Sequence, residues 1–357
     1  MNAISLFSGV GIGEFYLRDV NINVVLANEI VKSRADTYIA LYPTTEMICG
    51  DICDSEIKQT IIRKSKSKNV KFVLATPPCQ GLSRAGSNKT DIALLSDGRN
   101  FLILNAIEIA TEIGATHFLI ENVPRFQNML FPHEGKLVSL EELLKLTFGN
   151  QYIVDVQVFN AADYGVPQIR NRVVYRVWEK GTKWDVPKKE RPISLMEAIG
   201  DLPSLEACDI SPIKNHYARK HPSNQIEWMQ HTPQGCSAYT NEEHFPQKKD
   251  GTKIIGYKNC YTRMKWDRPA PTITMRNEIM SSQENVHPGR LLANGLWSDA
   301  RVLTPRELFI VSSLPADLDI PQTVSETAFR QLVGEGIPPL MLKKILRAIN
   351  LHTGVER

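Results

Sequence analysis

The sequence predicts an α/β protein built on a doubly wound, mostly parallel sheet, with a second, smaller irregular domain. Three observations carry this. Short apolar runs alternate with helical patterns over residues 1–178, as in a chain of βαβ units. The first apolar run feeds a glycine turn, Phe7-Ser8-Gly9-Val10-Gly11, as a strand does where a helix N-terminus faces a ligand. After Trp178 the chain turns rich in Pro, Lys, Asn, Gln, His and Tyr and loses long periodic segments.

The elements follow in order. Residues 22–27 read as a strand, 30–42 as a helix, 46–48 as a short strand and 55–63 as a helix. Residues 70–75 form a strand, 101–113 a helix, 117–120 a strand and 137–148 a helix. Residues 152–159 and 172–178 complete the set as strands. Right-handed crossovers then give the doubly wound layout. Regular pattern returns at 304–313, with the look of a capped helix, at 327–333, and at 340–351 with amphipathic spacing. One domain is expected from residues 1–178 completed by 327–357, and a smaller one from 179–326.

At 357 residues the chain has length for two domains. A net charge of +3 neither demands nor excludes a nucleic-acid partner, so any basic surface must come from local clustering. Six cysteines with no C-x-x-C pair argue against a zinc site or a disulfide framework. Reduced thiols in a cytoplasm are the expectation, and no metal is expected. No apolar run is long enough to cross a bilayer.

The chemistry-bearing residues stand at strand ends. Asn28-Glu29 closes the second strand, where a carboxylate can bind ribose hydroxyls, or cap the next helix. Gly50-Asp51-Ile52 follows the third, where an acid can accept from an adenine amine, or cap the next helix. Pro77-Pro78-Cys79-Gln80 follows the fourth: a cysteine on a proline-stiffened polar loop is a candidate nucleophile, although cysteine is often a small buried hydrophobe. Glu121-Asn122-Val123-Pro124 ends the next strand with another carboxylate. Gln168-Ile169-Arg170-Asn171-Arg172 places two arginines on alternate residues, so both point the same way, toward a site or, as an isolated pair more often does, into solvent.

These blocks, in this order, resemble the DNA (cytosine-5) methyltransferase family. Arg268-Pro269-Ala270-Pro271-Thr272-Ile273-Thr274 resembles its ninth motif and Gly334-Glu335-Gly336-Ile337-Pro338-Pro339 its tenth, so the likeness spans nearly the whole chain. The resemblance implies an S-adenosylmethionine-dependent enzyme acting on a cytosine flipped out of duplex DNA. Cys79 would attack C6, Glu121 would engage N3 and the exocyclic amine, and Arg172, with Arg170, would hold the base. Phe7, Gly9, Gly11, Glu29, Asp51, Ile52, Pro78 and Leu102 would line the cofactor pocket. Gln80, Ser83, Ser87, Arg219, Lys220, Tyr261 and Arg263 would contact DNA, and the variable stretch from about residue 179 to 260 would select the target. Two departures stand out: Ile12 where relatives carry a second consecutive glycine, and Glu335 where they carry Asn.

The implied setting is a bacterial restriction–modification system, with a separately encoded companion endonuclease, or an orphan modification enzyme without one; in either case a monomer in the cytoplasm at the nucleoid with double-stranded DNA as partner is expected. A tRNA-methylating branch of the family is the alternative; the long recognition region and the lack of that branch's Cys-Phe-Thr signature speak against it. A non-catalytic DNA-binding regulator would have lost Cys79 or Glu121, and both are intact. A nicotinamide dehydrogenase would leave the Pro-Cys-Gln loop idle.

Overall fold

The computed structural model describes residues 1–78, 98–248 and 250–350. The chain divides into two compact units, one of Met1–Asn160, Asn171–Lys188 and Leu342–Arg357, the other of Ala161–Arg170 and Lys189–Met341. The change of unit expected after residue 178 thus falls after 188, and residues 327–341, expected with the first domain, fold with the second unit.

The first unit is a sheet flanked by helices. Its strands are β1 (Asn2–Leu6), β2 (Asn23–Glu29), β3 (Glu46–Cys49), β4 (Phe72–Ala75) and β5 (His117–Asn122). A hairpin follows, β6 (Leu130–His133) and β7 (Lys136–Ser139), and then β8 (Tyr152–Asn160) and β9 (Asn171–Glu179) return to the sheet. The order is β3-β2-β1-β4-β5-β9-β8. Strands β1 to β5 pair in parallel, whereas β9 runs antiparallel to both β5 and β8. The expectation of a mostly parallel sheet therefore holds. The order reverses beside β1, the switch point at which open α/β sheets bind ligands.

Strands β4 and β5 are buried at every residue, which is why both read as unbroken apolar runs before their polar ends. Helices α1 (Lys32–Leu41), α2 (Ser55–Ser67), α3 (Ile103–Glu112) and α4 (Leu140–Phe148) cover the sheet. Ile4, Leu6, Val73, Ile103, Ile107, Phe118 and Ile120 meet in one core. The Asp54 carboxylate caps α2 by accepting from the Glu56 and Ile57 amides at 2.8 and 3.1 Å.

The helix expected from residue 137 begins only at Leu140. Residues 136–139 pair instead with 130–133 across Glu134-Gly135, both left-handed, in a two-residue turn that matches strand twist. Ser139 then caps α4, its hydroxyl accepting from the Glu142 amide.

The second unit holds helices α5 (Leu195–Ile199), α6 (Ser223–Gln230), α7 (Pro305–Val311) and α8 (Glu326–Glu335), tied by long loops. Trp228, Met229, Tyr261, Met280, Val286 and Val302 form a core of its own. Beside it lies a buried ionic cluster. Arg301 donates to Glu307 at 2.7 and 3.0 Å and to Asp299 at 2.8 Å, with all three residues at most 1% exposed. Burial pushes the Glu307 carboxyl up, but Arg301, His287 and the Thr304 amide together outweigh this and hold it at about 2. Glu307 also closes a capping box with Thr304 at the start of α7.

The last helix, α9 (Pro339–Arg347), carries Met341, Leu342, Ile345 and Leu346, all buried, on one face. It stops at 347, short of the expected 351, because β11 (Ile349–Asn350) pairs with β10 (Lys183–Trp184). The Trp184 indole N–H donates to the Ile345 carbonyl at 2.8 Å, fastening the helix end to the first unit.

Candidate active site

The parallel register aligns the carboxyl ends of the first five strands. Leu6 lies opposite Asn28 and Ala75, and Ala75 opposite Ile120. The segments that follow these ends therefore share one edge of the sheet, and most of the chemistry-bearing residues named from sequence stand there.

The turn after β1 takes the left-handed conformation at Phe7, Gly9 and Gly11, with φ of 57°, 56° and 76°. At Gly11 a Cβ would fall 2.5 Å from a Tyr42 ring carbon and 2.8 Å from one of Tyr38, so no other residue fits. At Gly9 a Cβ would meet nothing within 4 Å, so the space before the turn is open. The Gly9 amide donates to Glu29 Oε2 at 2.9 Å and the Val31 amide to Oε1 at 2.8 Å, which fixes the carboxylate at the tip of β2. Asn28 ties the ends of β2 and β3 by donating to the Ile48 and Gly50 carbonyls. Next to Glu29, Ile30 is 60% exposed, unusual for an isoleucine beside a strand end.

The other expected cofactor residues divide. Asp51 is exposed, and its Oδ1 accepts from the Cys53 amide at 2.9 Å, a local turn. Ile52 is 3% exposed and packed in the core. Pro78 and Leu102 are half-buried. The Thr76 hydroxyl donates to the Phe7 carbonyl at 3.1 Å, so the segment after β4 is fastened to the glycine turn.

Glu121 and Arg172 come together by strand register. Glu121 of β5 lies opposite Val174 of β9, so Arg172, two residues on, projects from the same face. The Arg172 Nε stands 2.7 Å from Glu121 Oε1, with both side chains about nine-tenths buried. A buried carboxylate is thereby given a cation and an orientation. Its neighbour Asn122 donates through Nδ2 to the Pro77 carbonyl at 3.1 Å and accepts from the Val123 amide at 2.8 Å. Asn122 thus holds the backbone two residues before Cys79, a role that its sequence position alone did not announce.

Several expected contacts take a different place. Arg170 does not join Arg172: its guanidinium donates at 2.9 Å to the carbonyls of Ile273, Gly334 and Glu335 within the second unit. It holds the ninth and tenth motifs together. Gly334 permits that closeness, since a Cβ there would lie 2.2 Å from the Thr274 carbonyl oxygen. Arg263, expected on DNA, is 1% exposed and donates to the carbonyls of Met229, His287 and Asp299, so it builds the unit's interior. Tyr261, also expected on DNA, is 8% exposed with its ring edge-on to Trp228 in the core. Arg219 is half-buried and binds Glu326 and Thr327, whereas Lys220 is exposed. Ile12 is buried in the short turn that replaces a consecutive glycine. Cys79, Gln80, Ser83 and Ser87 lie outside the described residues.

A switch-point turn with open space before it, and a carboxylate paired to an arginine on the neighbouring strand, are the parts of a group-transfer enzyme of the doubly wound class. The chain belongs to the C-5 cytosine-specific DNA methylases, whose family profile matches residues 1–351; it is a DNA (cytosine-5-)-methyltransferase. It is 44% identical over 346 residues, 97% of each chain, to the type II methyltransferase M1.HgaI of Avibacterium volantium. It is 29% identical over 352 residues, 97% of this chain and 86% of the other, to the type II methyltransferase M1.HphI of Haemophilus parahaemolyticus. In fold it matches, at a TM-score of 0.69 and 20% identity over 98% of both chains, a candidate DNA modification methyltransferase encoded in an Escherichia coli prophage.

Proposed function

We propose that the enzyme transfers a methyl group from S-adenosylmethionine to C5 of a cytosine flipped out of a short, specific duplex sequence. The observation that supports this most directly is the Glu121–Arg172 pair at 2.7 Å, on the strand that follows the Pro78-Cys79-Gln80 segment.

The residues around the glycine turn fit the cofactor. Open space faces Gly9, Glu29 stands fixed at the tip of β2 where ribose hydroxyls can donate to it, and Ile30 offers exposed apolar surface to an adenine. S-adenosylmethionine supplies an electrophilic methyl carbon. The remaining work belongs to the chain. The Cys79 thiolate adds to C6 of the cytosine, and the electron pair of the C5–C6 double bond becomes available at C5. Glu121 bonds N3 and the exocyclic amine and gives a proton to N3 as that charge develops. Arg172 keeps the carboxyl in register and stabilises it as it becomes ionised. C5 forms its bond to the methyl carbon as the methyl–sulfur bond breaks and its electron pair stays on sulfur; loss of the C5 proton to a base, return of the N3 proton to Glu121 and departure of Cys79 from C6 then restore the neutral aromatic ring. Asn122, by holding the Pro77 carbonyl, sets where the nucleophile's segment starts.

The second unit carries the expected recognition region, with Lys214, Lys220, Lys248 and Lys258 exposed for phosphate contacts. Its selectivity serves a type II restriction–modification setting with a separately encoded endonuclease, in keeping with the names of the two relatives. No described helix is long and apolar enough to cross a membrane.

The test is tritium transfer from labelled S-adenosylmethionine to mixed-sequence duplex DNA and to bulk tRNA, beside Cys79→Ser, with base-resolution mapping. Label in DNA as 5-methylcytosine at one sequence context, abolished by the substitution, is the expected result. Label on tRNA alone refutes the substrate; full transfer by Cys79→Ser refutes the covalent route.

A further inference from the structure

Beneath the glycine turn lies a carboxylate that the proposed chemistry leaves unused. Glu14 ends the short helical turn after Gly11, its amide donating to the Gly11 carbonyl at 2.9 Å. Its side chain points inward and the residue is 6% exposed. Among the described residues the side chains that bond to it are hydroxyls. Ser5 of β1 donates to Oε1 at 2.6 Å and Tyr38 of α1 donates to Oε2 at 2.5 Å. Tyr42, one turn further along α1, donates to the Gly11 carbonyl at 2.6 Å. Tyr38 and Tyr42 stay neutral, held well above the usual phenol range by burial and by Glu14. Among the described residues no lysine, arginine or histidine pairs with Glu14.

Two demands conflict here. Both carboxyl oxygens accept from hydroxyls, which suits the ionised acid. Burial without a cation favours the neutral acid and pushes its pKa up to about 7. Buried charges are ordinarily paired, and the same turn is open at Gly9, where an added Cβ would meet nothing within 4 Å. The missing positive charge can therefore arrive with a ligand.

We propose that Glu14 is the buried counter-charge for the sulfonium of the methyl donor, and so sets preference for the donor over its demethylated product. The inference rests on the cofactor reading above. The amino-acid end of the donor is zwitterionic before and after transfer, and adenosine is neutral. Only the sulfonium charge is lost when the methyl group leaves. A carboxylate too deep to touch the ligand acts on that net charge through the low-dielectric floor. Donor binding then favours ionised Glu14, while the neutral product, S-adenosylhomocysteine, has no such coupling. Glu14 is a positioning residue of the electrostatic kind; it touches neither reactant.

The experiment is isothermal titration of the full-length protein with S-adenosylmethionine, S-adenosylhomocysteine and sinefungin, whose amine supplies a cation near the sulfonium position. Wild-type affinity for the two cationic ligands should rise about fivefold between pH 6 and pH 8, while that for the neutral product moves less than about twofold. Glu14→Gln should weaken the cationic ligands by about tenfold at pH 8, flatten their pH dependence and leave product binding within about twofold. Equal weakening of all three ligands would overturn the proposal, since a merely structural role predicts that. Where the variant fails to fold, the wild type suffices. Titrations at pH 7 in buffers of different ionisation enthalpy should show protons released with the donor and none with the product, and equal release refutes the coupling. If the wild type binds none of the three, the cofactor reading itself fails, and this inference with it.

Discussion

Replacing Arg172 by alanine removes a cation that the structure places 2.7 Å from Glu121, a carboxylate about nine-tenths buried. At an effective dielectric of about 20, charges about 4 Å apart interact by about 4 kcal/mol. Breaking a buried pair by removing one partner costs about 3–5 kcal/mol. Part of that cost is relieved where the larger space admits water, so a loss of about 2–4 kcal/mol in transition-state stabilisation is expected, or roughly 30- to 1000-fold in kcat. The assay is single-turnover methyl transfer to a cognate duplex at saturating cofactor, beside calorimetric Kd for S-adenosylmethionine. The turn and Glu29 that fit the cofactor make no contact with Arg172, so Kd should hold within about twofold while kcat falls. Arg172→Lys should recover only part of the rate, since an ammonium restores the charge but not the planar fork. A kcat within threefold of wild type for Arg172→Ala would refute the assignment of Glu121 as the group that handles the N3 proton.

Other outcomes follow from single contacts. Asn122→Ala, which frees the Pro77 carbonyl, should lower kcat by about tenfold while costing only about 0.5–1.5 kcal/mol of stability by urea titration. Gly11→Ala must push a methyl group into the Tyr38 and Tyr42 rings at a left-handed φ of 76°, so a loss of about 2–4 kcal/mol is expected in the same titration. Glu307→Gln should destabilise the second unit by about 3–5 kcal/mol, read as an earlier transition of its Trp228 fluorescence. Burial lowers His117, His221 and His287 from 6.5 to about 4, so the unfolded chain binds protons first on acidification. The urea midpoint should therefore fall as pH drops from about 6.5 to about 4. Glu307, whose folded value of about 2 lies below the unfolded 4.5, extends the loss below that range, and a midpoint flat from pH 7 to 4.5 would contradict the burial of these imidazoles.

Local pattern carried the sheet. Fully buried strands such as β4 and β5 show themselves as apolar runs, and the acids that end β2 and β5 stand where polar residues interrupt those runs. The β6–β7 hairpin escaped because strands of four residues are too short to set a period against the helix behind them. Arg263 and Tyr261 misled for a different reason. In a polar stretch a basic and an aromatic residue look like surface, and their burial depends on carbonyls and rings 24 or more residues away, such as those of His287 and Trp228. Arg170 and Arg172 share a spacing, but the first meets Ile273 and Gly334 and the second Glu121, a distinction made by distant segments. Glu14 carries no sequence signal of its role either, since nothing nearby announces the hydroxyls of Ser5 and Tyr38 as its cage.

The pairing of β10 with β11 has a consequence for how the molecule is made. All seven strands of the main sheet have left the ribosome by residue 179, but the partner of Trp184 is Ile349, 165 residues later. At about 5–20 residues per second the nascent first unit waits roughly 10–30 s for its last edge. During that interval Trp184, whose ring packs on those of Phe72, His117 and Trp178, lacks the Ile345 carbonyl and its strand partner. The part of the chain that binds first to the growing polypeptide is thus completed last, and a stop codon in the final dozen residues of this stretch would injure the N-terminal sheet more than the unit translated just before it.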